Sequence, residues 1–137
     1  MPNHFHILVQ LTRETDFSNT LRSLTTSYVK SFNKWHSRVG HLFQGSTKAK
    51  LIHEDNQLMH LCRYIHLNPV AAGLVRTPDA WVFSDYRFWT SETSDQGHPS
   101  TRLRRQFFGS ADEYKKFVLD FARAQSTQKE IERLLFR

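Results

Sequence analysis

Cysteine, acid and unbroken apolar runs are all scarce in this chain, and each scarcity narrows what it can be. A lone cysteine, Cys62, has no second thiol with which to close an internal disulfide, so a stapled secreted scaffold is excluded and a reducing cytoplasm fits. No apolar run reaches the roughly 20 residues of a membrane-spanning helix, and the start lacks the basic-then-apolar layout of a secretory signal. Thirteen acidic residues stand against 19 lysines and arginines, for a formal charge of +6 and a pI near 9.8, with the cations spread along the chain rather than gathered in a tail. An acidic partner follows, and nucleic acid is the commonest one. The 137 residues, 39% apolar, suffice for one domain with a modest core.

What is present is concentrated first in residues 1–11, Met1-Pro2-Asn3-His4-Phe5-His6-Ile7-Leu8-Val9-Gln10-Leu11, which read as a strand. Alternation puts His4, His6, Leu8 and Gln10 on one side and Phe5, Ile7, Val9 and Leu11 on a buried face. The two imidazoles lie about 7 Å apart along such a backbone, close enough for both to lean onto one metal ion. The same pair equally describes two polar positions on a half-exposed strand, and a third ligand and a nucleophile have to come from elsewhere.

Asp16 or Ser18 caps a helix expected to run to about Ser37, with Phe17, Leu21, Leu24, Tyr28, Phe32 and Trp35 as its apolar stripe and Arg22, Lys30 and Lys34 off it. Tyr28 lies within that stripe and reads as a packing residue. Gly45 suggests a tight turn before a short strand over residues 48–54, on which Lys48 and Lys50 share a face. They are either phosphate contacts or solvated lysines. Asp55 caps a helix over about residues 56–67, stopped by Asn68-Pro69. His60, Tyr64 and Asn68 recur at four-residue steps and line one face of that helix, about 6 Å apart along its axis. A phenol between an imidazole and an amide is a candidate nucleophile with a ligand beside it; the alternative is a surface tyrosine with routine neighbours. Further on, Ser84 caps a short helix to Trp89, residues 90–99 form a polar linker, and Ser100 caps a helix bearing Arg102, Arg104 and Arg105. Ser110 with Glu113 has capping-box spacing for a helix from Ala111 to about Gln125, and a last amphipathic helix covers residues 128–136.

Taken together, Met1-Pro2-Asn3-His4-Phe5-His6-Ile7-Leu8-Val9, Gly40-His41-Leu42-Phe43-Gln44-Gly45 and Arg63-Tyr64-Ile65-His66-Leu67-Asn68-Pro69-Val70, continuing to Ala72-Gly73-Leu74-Val75 and Trp81, resemble the REP-associated tyrosine transposases, a single-tyrosine branch of the HUH endonucleases. Order and spacing agree over roughly residues 1–90, and a weaker likeness reaches Phe108-Gly109-Ser110 and Tyr114. The resemblance implies an α+β, ferredoxin-like α/β sandwich. It would occupy residues 1–90, followed by a linker over residues 91–99 and a helical appendage over residues 100–137. It also implies that His4 and His6 are the HUH histidines, that Asn68 completes the metal site for Mg²⁺ or Mn²⁺, and that Tyr64 is the nucleophile. The implied activity is cleavage and rejoining of single-stranded or hairpin DNA at palindromic repeats through a 5′-phosphotyrosine. Lys48, Lys50, Arg63 and the Arg102, Arg104 and Arg105 cluster are the candidate phosphate contacts. Monomer and homodimer both stay open.

The chain departs from the family where Ser46 and Thr47 replace an arginine and an aromatic residue, and where Ala71 replaces a basic one. Relatives also carry a strand, a helix and another strand ahead of the histidine motif. The sequence therefore reads as a fragment, a shortened gene product or one whose start lies upstream, with His4 on a strand that lacks a neighbour. Two alternatives accompany the enzyme: a non-cleaving DNA-binding remnant of the same family, and a helical interaction module with incidental histidines.

Overall fold

A computed structural model describes residues 1–11, 16–92 and 97–123. Their regular structure is helical: α1 (Phe17–Trp35), α2 (Asp55–Ala71), a 3₁₀ turn (Pro78–Ala80), α3 (Tyr86–Trp89), α4 (Pro99–Phe107) and α5 (Ala111–Arg123). The chain divides into two compact units. One joins Met1–Ile7 to the described residues from Leu51 onward, and the other is Leu8–Lys50.

No strand or sheet occurs among the described residues, which overturns the expected ferredoxin-like α/β sandwich. Residues 1–11 and 48–54 have the alternation of strands, but alternation supplies only a face. A strand also needs a neighbour to take its backbone N–H and C=O groups, and neither segment forms a ladder. The supposed buried face is correspondingly open, with Phe5 48%, Ile7 56%, Val9 44% and Leu11 57% exposed.

In the Leu8–Lys50 unit, Asp16 caps α1 as its chemistry demands, accepting from the Asn19 N–H at 3.1 Å. The apolar stripe of α1 forms where the spacing puts it, yet no residue of the helix is buried. Tyr28, 54% exposed, stacks on Phe32 and on Phe43, each at 6.1 Å between ring centres. The turn after α1 passes through Gly40 at φ +93°, and Asn33 donates to the Gly40 carbonyl at 2.9 Å.

The other unit holds the core, made of Met59, Cys62, Tyr64 and Leu67 from α2, Tyr86 and Trp89 from α3, and Ala111, Tyr114 and Val118 from α5. Helix α2 does not stop at Asn68-Pro69. It runs on to Ala71, with Pro69 inside it, and ends where Gly73 takes φ +69°. The Leu74 N–H then bonds the Pro69 carbonyl and the Gly73 N–H the Val70 carbonyl, both at 2.9 Å, in a Schellman ending. Asn68 is thereby an interior helical residue rather than a terminal one.

Downstream, the Ser84 hydroxyl accepts the Tyr86 N–H at 3.2 Å at the start of α3. The expected Ser100 cap is replaced by His98, whose ring accepts the Ser100 N–H at 3.2 Å. Ser110 caps α5, and Glu113 reaches back to the Gly109 N–H at 2.7 Å. Helices α4 and α5 belong to the same compact unit as α2. Glu92, inside the expected linker, is bonded by the Ala111 N–H at 2.5 Å and by Arg104 at 3.1 Å. The helix expected over residues 128–136 lies outside the described residues.

Candidate active site

Helix periodicity puts Tyr64 and Asn68 on one side of α2, and the first residues of the chain lie against that side. Asn68 Nδ2 donates to His6 Nε2 at 3.0 Å, across 62 positions of sequence. The His6 and Tyr64 ring centres are 5.9 Å apart and those of His4 and His6 5.0 Å, both edge to face. His4, His6, Tyr64 and Asn68 are therefore one cluster.

The hydrogen bonds also decide which ring nitrogens keep a lone pair. His4 Nδ1 donates to the Asn3 side-chain oxygen at 2.7 Å, leaving Nε2 as the acceptor. His6 Nε2 accepts from Asn68, and burial, then His4, then the terminal ammonium hold the His6 pKa below its ordinary value. A neutral imidazole with a lone pair on Nε2 is chemically able to serve as a metal donor. Rotating the Asn68 amide by half a turn exchanges Nδ2 for Oδ1 and supplies an oxygen beside that nitrogen. Two imidazoles and one amide oxygen suit a divalent ion that keeps open positions for phosphate oxygens. Among the described residues no group of three or more His, Cys, Asp or Glu side chains could hold a metal, and the third donor available beside His4 and His6 is the amide of Asn68.

Tyr64 is 7% exposed, packed by Leu61, Ile65 and Phe121. His60, the third member of the predicted face, is diverted: its Nδ1 accepts from Arg63 at 2.6 Å, and its ring lies 6.2 Å from Phe117 of α5. Cys62 offers no competing nucleophile, because burial pushes its thiol up to about 12.

The expected phosphate contacts separate by burial. Arg63 is 7% exposed and sandwiched between Phe117 at 4.2 Å and Phe121 at 3.8 Å. Arg104 is 1% exposed and paired with Glu92. Both are inward-facing cations engaged by partners within the unit. Arg102 and Arg105, three residues apart on the outer side of α4, are exposed, as are Lys48 and Lys50 in the Leu8–Lys50 unit. A signal the motifs overshadow is that residues 17–50 contain six lysines and arginines, Lys48 and Lys50 among them, and no carboxylate. Lys30 lines an open groove there with Thr25, His41 and Phe43.

A second polar cluster has no signature in the sequence. His66 Nε2 donates to Asp85 Oδ1 at 3.0 Å, and the Tyr114 hydroxyl donates to His66 Nδ1 at 2.6 Å. Asp85 Oδ2 accepts from Trp89 Nε1 at 3.0 Å and from the Ser100 hydroxyl at 2.5 Å. His66 and Asp85 stand 19 positions apart with no motif joining them, so only the tertiary packing around α2 reveals the link.

No protein-family model, no curated protein and no solved structure matches the chain. No helix among the described residues is long and apolar enough to cross a membrane.

Proposed function

We propose that this chain is a transposase-like single-stranded DNA endonuclease and strand transferase, related to the REP-associated tyrosine transposases and using Tyr64 as its nucleophile on palindromic repeat DNA. The observation that carries this reading is the 3.0 Å contact between Asn68 and His6 with the Tyr64 ring 5.9 Å from the His6 ring. Those side chains stand out on chemical grounds in segments 62 positions apart, and a basic chain with exposed Lys48, Lys50, Arg102 and Arg105 suits the polyanionic substrate.

His4, His6 and Asn68 would hold Mg²⁺ or Mn²⁺, which polarises the scissile phosphate when bound. Tyr64 Oη forms a bond to phosphorus as the P–O3′ bond breaks. The phosphate stays on the 5′ side as a phosphotyrosine, and the phenolic proton ends on the departing 3′ oxygen. The ester energy is conserved in the phosphotyrosine, so a new 3′-hydroxyl reverses the step without ATP. A tyrosine hydroxyl titrates near 10, so the attack depends on an activated phosphate more than on a free phenolate.

The 7% exposure of Tyr64 favours one competing reading, a DNA-binding relative that does not cleave. Incubation with Mn²⁺ and a single-stranded hairpin separates the two. The enzyme leaves a denaturant-resistant protein–DNA adduct that Tyr64→Phe abolishes and that His4→Ala or His6→Ala prevents with little loss of DNA affinity. Binding without an adduct supports the non-cleaving relative. Absence of both binding and metal dependence supports an interaction module.

A further inference from the structure

Helix α2 carries the two site residues on one side and a fully engaged imidazole on the other. At 3.6 residues per turn, Tyr64 and Asn68 lie about 40° apart around the axis, and His66, two residues from each, lies about 160° from both. His66 is thus diametrically opposite the midpoint of the site. It is 2% exposed, with both ring nitrogens hydrogen-bonded, to Asp85 and to Tyr114. Its ring is further wedged edge-on between Tyr86 at 5.2 Å and Trp89 at 5.5 Å. Asp85 is itself held by Trp89 and Ser100, so the imidazole is anchored to α3, α4 and α5 together.

We propose that His66 is a positioning residue that sets the roll of α2 about its own axis, and thereby the placement of Asn68 and Tyr64 against His6. Side chains stand about 5 Å from the axis of a helix, so a roll of about 20° carries each by about 2 Å. That displacement breaks both His66 bonds, which tolerate only a few tenths of an ångström. It also carries the Asn68 amide about as far in the opposite direction, off His6. An apolar residue at position 66 fills space but does not resist the roll, because packing contacts slide where a ring bonded at both ends does not.

The catalytic consequence rests on the proposed function, whereas the structural one does not, and the test reads them separately. Tyr114→Phe keeps the aromatic packing and removes one bond, and His66→Gln removes the ring. The first readout is the Asn68 side-chain amide in the ¹H–¹⁵N spectrum of the metal-free, DNA-free protein, assigned by its disappearance in Asn68→Asp. In both variants, folded by far-ultraviolet circular dichroism, this resonance is expected to move away from its wild-type position as the amide leaves His6. The second readout is the rate of adduct formation with Mn²⁺ and hairpin DNA, expected to fall about 10- to 100-fold with DNA affinity within about twofold. An unchanged Asn68 resonance in folded Tyr114→Phe overturns the proposal. So does a variant whose only change is a lower Tm. Should the wild type form no adduct, the enzymatic reading fails, and the Asn68 resonance still decides whether His66 positions the helix.

Discussion

Arg63 and Lys48 carry the same charge and opposite expectations. The guanidinium of Arg63 lies between two phenyl rings, donates to His60 Nδ1 and keeps its Nε unsatisfied inside the fold. A cation–π contact of this desolvated kind is worth about 2 kcal/mol or more, so Arg63→Ala is expected to lower the Tm markedly. It should leave the salt dependence of DNA binding as it was. Lys48 and Lys50 are exposed, and replacing both with alanine should leave the Tm in place and weaken DNA binding. The log–log salt slope should fall by about 1 for each phosphate that these lysines neutralise. Thermal melts and binding isotherms over a range of salt measure both. A residue type names the charge, whereas burial decides whether that charge meets a phosphate or a phenyl ring. For this reason His4, His6, Tyr64 and Asn68 are legible from chemistry and spacing, while the inward fate of Arg63 and Arg104 is not.

At the scale of elements, capping is legible at α1, α3 and α5 but not at α2 and α4, where the expected caps Asp55 and Ser100 lie inside the helix, and termination is less legible still. Asp16, Ser84, Ser110 and Glu113 act within four residues of themselves, and a local code suffices for them. Pro69 is expected to end α2, but it costs a helix one N–H bond and a steric adjustment that packing on both sides can offset. Gly73 ends the helix instead. Its φ of +69° is in the left-handed region, and a Cβ there meets nothing within 4 Å. Gly73→Ala therefore carries a purely conformational penalty, expected to lower the unfolding free energy by about 1 kcal/mol in chemical denaturation. The strands expected over residues 1–11 and 48–54 fail for the complementary reason. A helix closes its hydrogen bonds within itself and a strand cannot, so the period-2 pattern is present and the partner is not.

For the unit built on α2, the ties between elements are polar as much as apolar, and this shapes its response to acid. Burial works to raise the Asp85 carboxyl, but the bonds from His66, Ser100 and Trp89 outweigh it and hold its pKa well below the ordinary carboxylate value. Between the ordinary value, about 3.9, and the lower folded one, the unfolded chain binds more protons than the native one. Stability therefore rises with pH across that window. The contribution is complete above the ordinary value and disappears as pH falls below it toward the folded one. Asp85→Asn should lower the Tm by a constant amount above about pH 5, with the difference from wild type shrinking below about pH 4. A Tm series from pH 3 to 7 for both proteins checks this.

The sequence alone determined what depends on neighbours in the chain: helices where apolar residues recur every three or four positions, the caps of α1 and α5, a shared face for Tyr64 and Asn68, and no internal disulfide. Tertiary structure decided what depends on residues far apart. It brought His6 to Asn68 across 62 positions, withdrew Arg63 and Arg104 from solvent, joined His66 to Asp85 and Tyr114, and left the two extended segments without a sheet. The physical reason is that helical hydrogen bonds and caps close over a few residues, whereas burial and strand pairing are properties of a pair of segments and cannot be assigned to either one by itself.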